Sequence, residues 1–267
     1  MNVRALVGTH DLLFVTFDTL RYDVAARELA LGRTPVLGRV LPAGGWELRH
    51  TAGTFTYAAH HAFFAGFLPA RPSPIPAPRL FASRFEGSET TGEMTYCFDE
   101  PNLVTALAAA GYRTVCIGGV GFFNLRTALG RVLPGLFDEA HWSPELGVTD
   151  PASTAHQVDV ACARLAAMPR DQRVFLFLNV SAIHQPNRMY LPGAVEDSID
   201  SHAAALRYVD AAIEPLFDAV RRRAPTLAIL CSDHGTLYGE DGHRGHRVAH
   251  PAVFQVPYAE VLLGPAA

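Results

Sequence analysis

Lysine is absent from all 267 residues, and the 22 fixed side-chain cations are arginines. Without an ε-amine there is no Schiff-base chemistry and no lysine-dependent phosphate loop. Codon bias explains such an absence more simply than function does. Cysteine is sparse: Cys97, Cys116, Cys162 and Cys231 stand far apart and form no CxxC pair, which argues against a cysteine-rich zinc site. Three of the four lie in apolar stretches and read as buried free thiols, as expected in a reducing compartment. A dominant charge is lacking too, with 22 arginines against 26 acidic residues. A net charge of −4 with no basic block excludes general binding to nucleic acid or to an anionic membrane surface. No apolar run of about 18 residues occurs, so no membrane span is expected. The opening MNVRALVGTHDLLFVTFDTL holds no apolar stretch of signal-peptide form, and the expected location is the cytoplasm. Hydrophobic residues make up 49% of the chain against 18% charged, which excludes a disordered chain and provides for a sizeable core.

Four apolar runs read as buried parallel strands: residues 12–17 (LLFVTF), 113–117 (RTVCI), 174–179 (VFLFLN) and 226–231 (TLAILC). A fifth, weaker candidate is 259–263 (AEVLL). Helical patterns lie between them. Residues 101–110 begin with a proline suited to a first turn and stop at Gly111. Residues 151–168 follow Asp150, a plausible N-cap. Residues 201–223 place Leu206, Val209, Ile213, Leu216 and Val220 at helical spacing. Strands alternating with helices imply a three-layer α/β domain, a mostly parallel sheet with helices on both faces. One domain over residues 1–267 is expected, with an irregular excursion at about 71–102. In open sheets of this kind ligands bind beyond the carboxyl ends of the strands.

The polar residues at those ends carry the chemistry. Asp18 follows the first strand; Ser232, Asp233 and His234 follow the fourth. Carboxylates with an imidazole can build a divalent metal site. For Asp18 alone, a turn or helix cap is an equally good reading. His184 follows the third strand, and His243, His246 and His250 sit in a glycine-rich segment; at least one of these three reads as a solvated loop histidine. The nucleophile is sought in residues 50–69, where Thr51, Thr54 and Thr56 precede a helix-like stretch with His60 and His61. A hydroxyl at a helix N-terminus faces free N–H groups, and a metal can favour its alkoxide. Each threonine taken alone reads equally as a helix cap.

In this order the segments resemble the sulfatase-like branch of the alkaline phosphatase superfamily. LLFVTFDTLRYD resembles that group's opening strand and metal-binding Asp. TPVLGRVLPAGG resembles its TPNLDRLAAEG-type helix, and GTFTYAAHHAFFAGFLP its SPWTLPSRASLLTGLYP-type segment. NLVTALAAAGYRTVCIGG, LFDEAH, FLFLNVSAIHQP, RYVDAAI and SDHGTLYGEDG follow in family order. The resemblance implies an alkaline phosphatase-like fold. It gives Asp18, Asp233 and His234 as metal ligands, with Thr56 as nucleophile and further ligand. Thr54 is the rival if the loop differs by two residues. His184 resembles the substrate-binding His of the HxP segment. His246 falls where sulfatases usually carry a lysine and some phosphodiesterases a metal-binding His.

The departures shape what the resemblance implies. Ala58, Ala59 and His60 stand where sulfatases have Pro-Ser-Arg; Gly118, Gly119, Val120 and Gly121 replace GKWH; Ala182 and Val180 replace two acidic positions. The oxidisable Cys and the sulfate-clamping cations are therefore missing, against a formylglycine sulfatase. A one-metal site of Asp18, Thr56, Asp233 and His234 fits best, with Zn or Mn favoured over Ca or Mg. His60, His184 and His246 would contact substrate or complete a second ion's site. The chain ends at FQVPYAEVLLGPAA, where family members continue into a smaller C-terminal subdomain. A short member is expected, its site open or closed by the 71–102 excursion, a partner or a second copy. The expected activity is metal-dependent hydrolysis or transfer of a small or conjugated phosphate ester or phosphodiester. The alternatives are a non-catalytic metal-binding module and a sulfate or phosphonate ester hydrolase.

Overall fold

The computed structural model describes residues 3–66, 68, 81–82, 96–97 and 102–264. Seven strands build the central sheet: β1 Asp11–Phe17, β2 Glu47–His50, β3 Arg113–Ile117, β4 Glu139–His141, β5 Val174–Val180, β6 Thr226–Cys231 and β7 Gln255–Leu263. Their order across the sheet is β2-β7-β6-β1-β5-β3-β4. β1 lies at the centre, parallel to β5 on one side and to β6 on the other. The weaker strand expected at 259–263 begins earlier, at Gln255, and runs antiparallel to both β6 and β2. The reason lies in the connection. After β6 the chain stays at one end of the sheet, where Gly235 N–H bonds Val253 O at 2.8 Å. It never crosses back, so the next strand must return in the opposite direction.

Alternation along the strands sorts two different cores onto the two faces. Leu13, Val15 and Phe17 of β1, with Val174, Leu176, Leu178 and Val180 of β5, join a mainly aliphatic cluster. It is covered by α1 Tyr22–Ala30, α2 Pro35–Val40, α5 Ser153–Ala167, α6 Ile199–Ala212 and α7 Glu214–Arg223. Phe14, Phe175 and Phe177 point the other way, into an aromatic cluster with Phe64, Phe123 and Phe137. That face is covered by α3 Thr56–Ala65 and α4 Leu103–Ala109. A short α8, Pro251–Phe254, leads into β7.

Local chemistry sets the helix ends. α4 starts after Asn102, whose side chain accepts from Val104 N and Thr105 N in a capping box. Asp150 accepts from Ala152 N at 2.7 Å, two residues ahead of the cap position that Ala152 itself occupies. The helix expected over 201–223 is two helices. Pro215, in the first turn of α7, has no N–H to continue the α6 ladder. The break leaves Leu206, Val209, Ile213, Leu216 and Val220 all buried on one face. Asp210 of α6 reaches across to accept from Val36 N and Leu37 N at 3.1 and 2.8 Å, and so caps α2 from outside. Cys116 and Cys231 are buried free thiols, and Cys162 is half-buried. Of the expected excursion at 71–102, only Phe81–Ala82, Tyr96–Cys97 and Asn102 fall within the described residues, the first two as a short parallel pair. The rest of that reading, like the Cys97 thiol, lies outside them. No helix among the described residues is long and apolar enough to cross a membrane.

Candidate metal and phosphoryl-transfer site

Three strand ends and one helix N-terminus converge at the carboxyl edge of the sheet. Asp18 extends the β1 ladder by one bond, its N–H reaching Val180 O at 3.1 Å. The next residue, Thr19, turns at φ +64°, a conformation unfavourable for a β-branched side chain. That turn aims the Thr19 N–H at Asp233 Oδ1, 3.2 Å away. His234 N–H donates to the same oxygen at 3.0 Å. Gly235 follows because α8 packs on the backbone there: a Cβ would stand 1.9 Å from Ala252 O.

Asp18, Asp233 and His234 are fully buried, and their ligand atoms lie within 4.8 Å of one another. His234 Nε2 is 4.0 Å from Asp18 Oδ1 and 3.5 Å from Asp233 Oδ2. Its Nδ1–H donates to Gly235 O at 2.8 Å, which fixes the tautomer and leaves the Nε2 lone pair facing the two carboxylates. Thr56, the first residue of α3, places Oγ1 3.4 Å from Asp18 Oδ2 and 3.3 Å from His234 Nε2. Among the described residues, Thr54 meets this region through its carbonyl, which accepts from Arg247 N at 2.9 Å.

The buried polar atoms test whether these residues suit a cation. Asp18 Oδ1 and Asp233 Oδ2 have no hydrogen-bond partner, although an unpaired buried carboxylate oxygen is strongly unfavourable. Burial, then the charge of Asp233, pushes Asp18 up to about 6. Burial pushes Asp233 up to about 7. Burial holds His234 below the usual imidazole range and favours its neutral form. Two oxygens, one neutral imidazole nitrogen and an adjacent hydroxyl fit a divalent cation in charge and in donor type.

His184 and His246 line the same edge. The His234 and His246 rings are 4.5 Å apart, and His246 and His184 5.8 Å. His184 Nδ1–H donates to Gln185 O at 2.5 Å, so only Nε2 remains to face a ligand. His246 Nδ1 is buried without a partner, and burial with the neighbouring His234 lowers its pKa to about 3. His60 is placed differently. It is fully buried, with Nδ1 donating to Thr56 O at 2.7 Å and Nε2 accepting from Thr16 Oγ1 at 3.0 Å. Its ring packs against Phe63, Phe123 and Phe177. It holds the backbone of Thr56 from the core side, with Nδ1 3.7 Å from Asp233 Oδ2. His243 is exposed, while His250 caps α8 through Ala252 N at 3.0 Å.

Asn179 was missed by sequence reasoning, and the roles of Thr51 and Gly119 came only with the structure. Asn179 donates to Asp18 Oδ2 at 3.1 Å and to Thr16 Oγ1 at 3.3 Å. Its only signal was a polar residue inside an apolar strand, on the face of Phe175 and Phe177. Thr51 caps the Asp233 carbonyl through its hydroxyl. Gly119, at one of the positions where the resembled family carries a cation, has no room for any side chain: a Cβ would stand 2.4 Å from Asn179 O.

The Sulfatase family model matches residues 10–259. Among solved structures, the C-terminal periplasmic domain of phosphoethanolamine transferase EptC from Campylobacter jejuni is 14% identical, covering 95% of this chain and 80% of that chain at a TM-score of 0.63. The corresponding Escherichia coli domain, in complex with Zn, is 12% identical, covering 96% and 73% at 0.66. The lipoteichoic acid synthase LtaP from Listeria monocytogenes is 13% identical, covering 98% and 67% at 0.62. At such identities the likeness shows the fold, that of the alkaline phosphatase superfamily. Among curated proteins none matches.

Proposed function

The chain belongs to the sulfatase family, and on that premise we propose that it is a metal-dependent phosphoester transferase or hydrolase with Thr56 as its nucleophile. One observation carries the reading. The Thr56 hydroxyl, at the start of a helix, lies within 3.4 Å of both Asp18 and His234, beside two buried carboxylate oxygens that have no partner. Asp18, Asp233, His234 and Thr56 would hold the ion, with Zn or Mn best suited to this mixed oxygen and nitrogen set. When bound, the ion supplies Lewis-acid polarisation and favours the deprotonated hydroxyl.

The chain's own groups do the rest. The α3 N-terminus presents its dipole to the phosphoryl oxygens. His60 and Asn179 fix Thr56 and Asp18 from the core side, so neither reorganises during attack. Thr56 Oγ, its proton released to solvent, forms the bond to phosphorus as the bond to the leaving oxygen breaks, giving a phosphothreonine. His184, when Nε2 carries a proton as well as Nδ1, gives that proton to the departing oxygen. Water or an acceptor alcohol then attacks the phosphothreonine, releases the product and restores the hydroxyl. Threonine cannot be oxidised to an aldehyde as a cysteine can, which favours phosphorus over the sulfate chemistry of formylglycine enzymes. The phosphoethanolamine transferase and lipoteichoic acid synthase among the structural neighbours support phosphoester transfer broadly.

The test is turnover of matched chromogenic phosphodiesters, phosphomonoesters and sulfate esters under Zn, Mn, Mg and Ca, for wild type and Thr56→Ala. Metal-dependent turnover of a phosphate ester is expected. It should fall at least about a thousand-fold in Thr56→Ala while zinc still binds. Full activity in Thr56→Ala would refute the nucleophile. Faster sulfate than phosphate turnover would refute the substrate class.

A further inference from the structure

Of the arginines around the carboxyl edge of the sheet, most are already engaged. Arg21 is buried and bonds Asp23 and Glu240. Arg244 pairs with Glu196, and Arg126 lies over Trp142. Arg247 is different. Among the described residues no carboxylate pairs with it, and its guanidinium donates no hydrogen bond. It is nonetheless held in place. Its N–H bonds Thr54 O at 2.9 Å, and its guanidinium sits 5.3 Å from the centre of the Phe55 ring. Those contacts fall on the two residues before Thr56. Its backbone adopts φ +73°, sparsely populated outside glycine and persisting only where surrounding contacts impose it. It directly follows His246, whose ring neighbours that of His234. Its charge reaches both imidazoles and helps to lower their pKa values.

We propose that Arg247 is a substrate-binding residue: its guanidinium, propped on Phe55, receives the non-bridging oxygens of the ester at the phosphorus attacked by Thr56. This rests on the reading of Thr56 as nucleophile and adds the group that selects the substrate's charge. A guanidinium stacked on an aromatic ring keeps its in-plane N–H donors free for a tetrahedral oxyanion. Lysine is absent from the chain, and Gly119 cannot carry a side chain, so the countercharge comes from another loop. A charge count sets the class. Asp18 and Asp233 would balance one divalent ion, and Arg247 adds one positive charge beside it. The match is a substrate bearing a single negative charge at the reacting centre, as a phosphodiester does, over a dianionic monoester.

The experiment is calorimetric titration of bis(4-nitrophenyl) phosphate and of 4-nitrophenyl phosphate into zinc-loaded Thr56→Ala, with and without Arg247→Ala or Arg247→Lys. Zinc affinity is measured on each by chelator competition. With Arg247 present, the diester should bind more tightly than the monoester. Arg247→Ala should weaken diester binding about ten-fold and leave zinc affinity within two-fold; Arg247→Lys should recover part of the loss. Diester binding unchanged by Arg247→Ala overturns the assignment of Arg247 and leaves Thr56 untouched. No binding of either ester with Arg247 in place overturns the proposed function, and this inference with it.

Discussion

Neutralising Asp233 should stabilise the metal-free protein at neutral pH while abolishing its response to zinc. Asp233 is buried, with Oδ1 accepting from Thr19 N and His234 N and Oδ2 unpartnered, 3.5 Å from His234 Nε2. An asparagine keeps the first pair of bonds and can donate its Nδ2–H to the imidazole lone pair. Burial raises the Asp233 pKa from 3.8 to about 7. A carboxyl raised on folding stabilises the fold below its unfolded pKa, and that stability is lost as pH rises through the folded value. At about 1.4 kcal/mol per unit, wild type loses about 4 kcal/mol between pH 4 and 7.5 that Asp233→Asn retains. Buried histidines act in the opposite direction. His60, His202 and His246 are lowered to about 3 by burial, so their contribution is present above pH 6.5 and lost as pH falls toward 3. Comparing the two proteins at each pH subtracts the histidines. The assay is thermal unfolding of chelator-treated protein across pH 4–7.5, then with added zinc. The variant's advantage should be near zero at pH 4 and reach roughly 8 °C at pH 7.5. Zinc should raise the melting temperature of wild type and leave the variant almost unmoved. A pH-independent difference, or a variant less stable than metal-free wild type at pH 7.5, would refute the argument that Asp233 is an uncompensated buried charge awaiting a cation.

Two further outcomes follow from the groups around the ligands. Asn179→Ala removes the donor to Asp18 Oδ2 and should weaken zinc binding about ten-fold; a chelator competition showing unchanged affinity would refute the role given to Asn179. Gly119→Ala drives a Cβ to 2.4 Å from Asn179 O and 2.7 Å from Ser181 Cβ, and should destabilise the protein by about 2–3 kcal/mol in urea unfolding. A neutral effect would show that this crossing of β3 and β5 is looser than the packing implies.

Apolar runs bounded by polar residues placed the central strands within a residue or two, because a strand buried on both faces must be apolar throughout. The same logic exposed Asp18, Asp233 and His234: charge directly after such a run lies at the strand end, where ligands gather. Pro215 dividing 201–223 was also open to sequence reading, since a proline within a helical pattern removes a bond wherever it stands. Other features had no local cause. The antiparallel course of β7 follows from a chain that stays at one end of the sheet. His60, a substrate contact or second-ion ligand only through the resemblance, is set by helix phase in the aromatic core, where it bonds Thr56 O and Thr16. Asn179 gained its role because it faces the same side as Phe175 and Phe177, next to Asp18. Arg247 came to stand against Thr54 and Phe55, just ahead of Thr56, through a backbone bond to Thr54, a residue far from it in sequence. The order of apolar and polar residues thus determined which elements form and which ends carry charge. Which polar groups meet, and which are left unpaired for a cation or an anion, was decided by packing, because those contacts join segments that no local pattern connects.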